Sequence, residues 1–106
     1  MAPAYWVVTF HSVSDEGAVA AYASASLPAI QRLGGRVLAA GVPSFSHEVG
    51  SSQRVAVVEF DSLEAAEAAY LSQEYQASLR HLAGAAVRDV RIVEGRQLSS
   101  TWVPSS

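Results

Sequence analysis

Residues 54–80 read RVAVVEFDSLEAAEAAYLSQEYQASLR, and this stretch decides the fold. It opens with the apolar run VAVVEF at 55–60, a pattern typical of a buried β-strand. Asp61, followed three residues later by Glu64, has the spacing of a helix-capping box, and an alanine-rich helix is expected after it. Ser72 predicts the start of a second helical segment. The stretch therefore predicts a central strand, a tight turn and a pair of helices that fold back over the strand.

A family resemblance rests on the same stretch. Its residues are Arg54, VVEF at 57–60, DSLEAA at 61–66, SQEYQ at 72–76 and Arg80, together with YW at 5–6, GGR at 34–36 and VEG at 93–95. They resemble the core pattern of domain-of-unknown-function family 1330 across residues 5–95. The resemblance implies a ferredoxin-like fold of the dimeric α/β-barrel superfamily, and with it a homodimer. It implies no particular activity.

The rest of the chain predicts three more strands and one long helix. Apolar, aromatic and β-branched residues mark strands at 5–12 and 87–93, and a shorter edge strand is expected at 36–40. The helix expected at 14–33 contains Pro28, which predicts a bend. The order βαββαβ predicts an α+β, ferredoxin-like fold with a four-stranded antiparallel sheet and both helices on one face.

Two segments lie outside this framework. The connection at 41–53 is the longest in the chain, and we expect a loop with some strand there. Residues 1–96 form a single domain in this interpretation, and 97–106 form a C-terminal tail. Within the tail, we expect 98–103 to be ordered, because the indole of Trp102 is costly to leave in water.

The first strand has two different faces. Trp6, Val8 and Phe10 form a wholly apolar face, which we assign to the helices. The opposite face of the sheet would carry Val7, Thr9, Leu38, Val55 and Val57. So much apolar surface is unusual on a soluble monomer. The pattern therefore predicts a homodimer in which two sheets pack face to face.

Charge and composition argue against several classes of function. The chain of 106 residues has a net charge of −3, and its seven basic residues form no cluster, which argues against a nucleic-acid partner. The chain has no cysteine, which excludes disulfides and thiolate metal sites and agrees with a cytoplasmic protein. We expect no membrane span and no signal peptide, because the apolar runs are short and the N-terminus lacks a basic region.

The candidate proton carriers for catalysis are His11, His47, Glu59 and His81. The histidines have no metal-ligand spacing and the glycines form no phosphate-binding run, so neither a metal nor a nucleotide cofactor is expected. Glu59 has two interpretations, because a carboxylate inside a strand is costly to bury without a partner. Either it forms a structural ion pair with Arg36 or Arg54, or it acts as a general acid or base that faces a pocket.

The candidate substrate-binding residues are Tyr22, Arg54, Tyr75 and Arg80, around an expected pocket between helices and sheet. The leading hypothesis is a cofactor-independent enzyme that acts on a small apolar organic substrate, aromatic or polyketide-like, as an isomerase, cyclase or monooxygenase. It rests on fold analogy. Two alternatives stay open: a non-catalytic ligand-binding or stress-related dimer, and a haem-binding protein, which requires a histidine that faces the cavity.

Overall fold

The computed structural model describes residues 2–50 and 53–96. The elements are β1 (Ala4–Val13), α1 (Glu16–Arg32), β2 (Arg36–Gly41), β3 (Val55–Phe60), α2 (Leu63–Leu71), α3 (Gln73–Ser78), a 3-10 turn (Leu79–Leu82) and β4 (Ala86–Glu94). The strand order is β2-β3-β1-β4, and all three pairings are antiparallel. The predicted α+β, ferredoxin-like βαββαβ fold with a four-stranded antiparallel sheet is therefore confirmed.

Side chains cap the starts of the helices, as the sequence predicts, although one cap lies a residue later than expected. The Ser62 hydroxyl, not Asp61, caps α2 and accepts a hydrogen bond from the Ala65 amide at 3.1 Å. The prediction for Asp61 was wrong because its carboxylate instead accepts a hydrogen bond from Arg36 at 3.0 Å. Ser72 caps α3 as predicted, since its hydroxyl accepts from the Tyr75 amide at 3.1 Å.

The core lies between the helices and one face of the sheet. Trp6, Val8 and Phe10 are buried there, as their alternation along β1 predicts. The Trp6 indole donates a hydrogen bond to the Ala66 carbonyl at 2.9 Å, and its ring centroid lies 4.8 Å from that of Tyr75. A fully buried indole without such a partner would lose the free energy of a hydrogen bond, so this contact fixes α2 against β1.

One glycine sets how closely α1 approaches the sheet. A Cβ atom at Gly35 would lie 2.6 Å from the Ile30 side chain and 2.8 Å from the Phe60 ring. Neither neighbour has room to move, because both are buried in the core. A side chain at this position would therefore push the end of α1 away from β3.

Other segments differ from the expectation or lie beyond it. The described parts of the long connection, residues 42–50 and 53–54, contain no strand, so the strand expected in this loop is absent from them. The helix α1 continues unbroken through Pro28. The prediction for 98–103 and Trp102 lies outside the described residues. Within the described residues, none of the helices has the length and apolar character needed to cross a membrane.

The second face of the sheet is bare. It carries Val7, which is 37% exposed, and Val93, which is 52% exposed, and Leu38 on the neighbouring edge is 56% exposed. An ion pair of Arg36 with Glu59 lies on the same face, because these residues are paired in register across β2 and β3. Both predicted faces of the sheet are thus observed, one under the helices and one open.

Candidate functional site

A cavity of about 290 Å³ lies between α1 and the sheet, and we call it the α1–sheet cavity. Its lining is mostly apolar. It comprises Trp6, Val8 and Phe10 of β1, Val19, Tyr22, Ala23, Ser26, Leu27 and Ile30 of α1, Val37, Ala40 and Gly41 of β2, Arg54 with Val55, Ala56 and Val58 of β3, and Arg88 of β4. A mostly apolar space with a few converging polar groups is the usual form of a small-molecule site.

Small side chains explain why this space is open. On α1 the cavity is bordered by Ala23 and Ser26, where larger residues would reach the sheet. On β2 it is bordered by Ala40 and Gly41, which also fill little volume. Three aromatic side chains, Trp6, Phe10 and Tyr22, also line the cavity, and Trp6 is the largest of them. A flat aromatic molecule would therefore meet aromatic rings as well as several small groups.

Two arginines lie at the same end of the cavity. Arg88 of β4 is paired in register with Phe10 of β1. The Phe10 amide donates a hydrogen bond to the Arg54 carbonyl, on the side of Phe10 away from Arg88, at 3.0 Å. The two arginines therefore flank Phe10, and both contribute to the cavity lining. This end of the cavity is cationic while the rest is apolar.

Arg88 is held by two tyrosines. Its Nη1 donates to the Tyr22 hydroxyl at 3.2 Å, and its Nη2 donates to the Tyr75 hydroxyl at 2.8 Å. The two hydroxyl oxygens lie 2.6 Å apart. The Arg88 Cζ atom also lies 4.9 Å from the ring centroid of Tyr22, within the range of a cation–π contact. These contacts fix the position of the guanidinium group.

Burial sets the ionisation state of this cluster. It raises the pKa of the Tyr75 hydroxyl well above its usual range, and the neighbouring Tyr22 raises it further. Tyr75 therefore stays protonated at neutral pH and remains able to donate a hydrogen bond. Burial alone would lower the pKa of Arg88, but the two tyrosine oxygens outweigh burial and raise it. The guanidinium group is thus a permanent cation.

The side chain of Arg54 has hydrogen-bond partners in the described part of the protein for only some of its N–H donors. Its Nη2 donates to a carboxylate oxygen of Glu16 at 3.1 Å. Its Nε atom is buried, and within the described residues it has no hydrogen-bond partner. A buried N–H without an acceptor is costly, so this atom marks a place where a ligand acceptor would be favourable.

The structure brings together three of the four predicted substrate-binding residues. Tyr22 and Arg54 line the cavity, and Tyr75 lies directly behind Tyr22 in the same hydrogen-bond network. Arg80 lies apart from them. It is exposed in the 3-10 turn, where its Nε donates to the Ala77 carbonyl at 3.3 Å.

The predicted proton carriers do not line the cavity. His11 and Glu59 lie on the bare face, where the His11 Nε2 is 2.6 Å from an Asp89 oxygen. Glu59 accepts a hydrogen bond from Arg36 at 3.0 Å, which is one of the two ion pairs predicted for it. His47 is exposed in the connection between β2 and β3, and His81 is exposed in the 3-10 turn.

Arg88 was not among the site residues predicted from the sequence. The signal was present, because Arg88 alternates with Val90 and Ile92 along β4 and so occupies the face that the helices cover. An arginine in a strand is more often solvated than buried, and its two tyrosine partners lie far away in sequence. Among residues 2–50 and 53–96, no three histidine, aspartate or glutamate side chains converge as a metal-binding group.

Residues 3–96 match the family model described as Domain of unknown function (DUF1330). The chain belongs to this family. The family resemblance inferred across residues 5–95 is therefore confirmed, over nearly the same range. None of the curated proteins matches the DUF1330 chain.

Solved structures share its fold. A protein of unknown function from Rhodopseudomonas palustris is 22% identical, with a TM-score of 0.65 over 93% of this chain and 85% of that chain. SnoaB, a cofactor-independent oxygenase from Streptomyces nogalater, is 12% identical, with a TM-score of 0.59 over 94% of this chain and 100% of that chain. A dimeric protein of unknown function with a ferredoxin-like fold from Bacteroides fragilis is 19% identical, with a TM-score of 0.53 over 87% of this chain and 95% of that chain. At these identities the likeness is one of fold.

Proposed function

We propose that this DUF1330 protein binds a small, mostly apolar organic molecule, aromatic or polyketide-like, in the α1–sheet cavity and acts on it without a metal or nucleotide cofactor. The observation that carries the proposal is the cavity itself, an apolar space of about 290 Å³ with a cationic end. Burial of about 150 Å² of apolar ligand surface contributes about 4 kcal/mol before the costs of association.

The reaction classes that fit are those of an isomerase, a cyclase or a monooxygenase. In each, the step proposed is removal of a proton from a carbon beside a carbonyl group, which leaves negative charge on the carbonyl oxygen. In a monooxygenase without a cofactor, molecular oxygen would then oxidise this carbanion, with one oxygen atom entering the product and the other leaving as water. A guanidinium group fixed in a site of low water content stabilises such an oxyanion. Tyr22, Arg54 and Tyr75 keep their proposed roles in binding, and SnoaB lends support as a cofactor-independent oxygenase on the same fold.

Among the candidate proton carriers, His47 is the one we place nearest the reaction. It belongs to the connection between β2 and β3, and the residues that flank this connection, Gly41 and Arg54, both line the cavity. His11 and Glu59 lie across the sheet from the cavity, and His81 lies in the 3-10 turn after α3 and is not part of the cavity lining. An imidazole at this position would exchange protons with bound substrate near neutral pH.

A non-catalytic ligand-binding dimer is the second candidate. The observation in its favour is that the described residues lining the cavity include no histidine, aspartate or glutamate. The same observation removes support from the haem-binding alternative, because that hypothesis required a histidine facing the cavity. A binding protein needs only the apolar lining and the arginines.

The homodimer remains part of the proposal. The bare face of the sheet carries exposed Val7 and Val93, which would be covered if two copies packed sheet against sheet. The Bacteroides fragilis neighbour is described as dimeric, which lends support. Such a dimer leaves the α1–sheet cavity on the outer side of each sheet, accessible to small molecules.

Isothermal titration calorimetry with a neutral aromatic amide, 2-naphthamide, tests the binding site. We expect it to bind the wild-type protein. Ala23→Phe should fill the cavity from α1 and weaken binding about tenfold or more. Ala21→Phe is the matched control, because Ala21 is exposed on the same helix and does not line the cavity. Equal binding by both variants would show that the ligand lies elsewhere.

A further inference from the structure

We infer that the natural ligand of the α1–sheet cavity is an organic monoanion with its charged oxygen held by Arg88. This inference rests on the proposed function of the cavity, and it adds the charge of the ligand and the residue that selects it. The ligand would have an apolar body along Trp6 and a single acidic group, a carboxylate or an enolate, at the cationic end.

The charge of Arg88 supports an anionic ligand. Four other arginines lie beside a carboxylate, in the pairs Arg32–Glu74, Arg36–Glu59, Arg54–Glu16 and Arg91–Asp89. Within the described residues Arg88 has no carboxylate partner, although it is half-buried. Its chain neighbour Asp89 lies on the opposite face of the sheet, beside His11. A half-buried cation without a counter-ion is unfavourable, and an anionic ligand would supply the missing charge.

The fixed orientation of the Arg88 guanidinium group also favours binding of a ligand oxygen. The hydroxyls of Tyr22 and Tyr75 each occupy one N–H of Arg88 and are neutral, so they fix the group without cancelling its charge. A guanidinium has five N–H donors, and those left over serve a ligand oxygen. Because its position is fixed before binding, Arg88 loses little side-chain entropy when the ligand arrives.

The balance of charge around the cavity favours a ligand with a single negative charge. Arg54 brings a second donor, its buried Nε without a partner, to the other side of Phe10. The charge of Arg54 is already matched by Glu16, so the cationic end carries one net positive charge. The described lining contains no carboxylate that would repel an anion. One unmatched charge favours a monoanion over a neutral molecule and over a dianion.

The experiment compares two probes of the same shape, 2-naphthoate and 2-naphthamide, by isothermal titration calorimetry at pH 7. We expect the wild-type protein to bind 2-naphthoate about tenfold or more tightly than the amide. Arg88→Met should reduce this preference to within about twofold while the amide binds as before. Arg88→Lys keeps a charge and should retain part of the preference. Arg91→Met is the matched control, because Arg91 lies on the same strand, β4, but on the opposite face of the sheet. This variant should prefer 2-naphthoate to the amide as strongly as the wild-type protein does.

Each result supports or contradicts the inference. Equal wild-type affinity for both probes would overturn the inference and leave the cavity function standing. If neither probe binds, the proposed cavity function fails and the inference fails with it. An equal loss of preference in Arg88→Met and Arg91→Met would assign the selectivity to overall charge, not to Arg88. The comparison of the two probes on the wild-type protein needs no variant. It therefore tests whether the cavity prefers an anion even where a substitution impairs folding.

Discussion

The hydroxyl oxygens of Tyr22 and Tyr75 lie 2.6 Å apart, although the residues are 53 positions apart in the chain. This contact joins the middle of α1 to α3, and both hydroxyls also accept hydrogen bonds from Arg88 of β4. One polar cluster therefore links two helices and the sheet at the wall of the α1–sheet cavity. Its stability and its ionisation are open to direct measurement.

Tyr75→Phe should lower the free energy of unfolding by about 1–3 kcal/mol, because it removes a buried hydroxyl that bonds to Tyr22 and Arg88. Urea denaturation followed by circular dichroism gives the value. Tyr5→Phe is the control, since the Tyr5 hydroxyl makes a longer bond of 3.3 Å to Glu59 at a partly exposed site. A loss for Tyr75→Phe no larger than for Tyr5→Phe would mean that the cluster adds little stability.

Stability should fall steeply at alkaline pH because of Tyr75. Burial raises the pKa of Tyr75 in the folded protein above the ordinary value of 10.0 that it has in the unfolded chain. The contribution of the neutral hydroxyl is then fully present below pH 10, and it is lost as the pH rises toward the folded-state pKa. In that window the free energy of unfolding should decrease by about 1.4 kcal/mol per pH unit.

Denaturation curves from pH 8 to 11 measure this slope. Tyr75→Phe removes the titrating group, so its slope above pH 10 should be shallower than that of wild type. Parallel curves for the two proteins would contradict the assignment of the alkaline transition to Tyr75.

Much of this architecture could be predicted from the sequence. The alternation of Trp6, Val8 and Phe10 identified the covered face of the sheet, because the side-chain period of a strand is two. Capping was less exact. Asp61 and Ser62 both have side chains that suit an N-cap. The Asp61 carboxylate instead accepts a hydrogen bond from Arg36 of β2, and Ser62 is the cap.

The site was harder to predict than the fold. Tyr22, Arg54 and Tyr75 were predicted to bind substrate, but the network that joins the two tyrosines is formed around Arg88, whose partners come from helices that are distant in the sequence. The histidines were proposed as proton carriers because of their residue type, and Glu59 because it is a carboxylate inside a strand. Alternation along β1 already indicated that His11 lies on the face away from the helices, and Glu59 lies on the same bare face.

Val57→Arg should disrupt the proposed homodimer. Val57 lies opposite Val7 on the bare face, where an arginine would place a charge in the centre of a sheet-to-sheet interface. Sedimentation velocity at micromolar concentration should give a dimer for wild type and a monomer or aggregate for the variant. Glu67→Arg, on the exposed surface of α2, is the control and should remain dimeric. A wild-type protein that sediments only as a monomer would contradict the dimer.

Exchange of the acidic protons of 2-tetralone for deuterium, followed by proton NMR, tests for catalysis. This ketone has a flat apolar body and a carbonyl group, so an enzyme that stabilises an enolate should exchange its protons faster than buffer does. His47→Gln should slow the exchange about tenfold or more. Glu59→Gln should leave the rate unchanged, because Glu59 lies on the other face of the sheet. Exchange at the buffer rate in wild type would favour the non-catalytic binding protein.

The most direct measurement is a crystal structure of the wild-type protein with 2-naphthoate. We expect the naphthalene ring in the α1–sheet cavity against Trp6, and a carboxylate oxygen within about 3 Å of an Arg88 nitrogen. Density for the ligand on the bare face, or a cavity that stays empty at saturating ligand, would contradict the account.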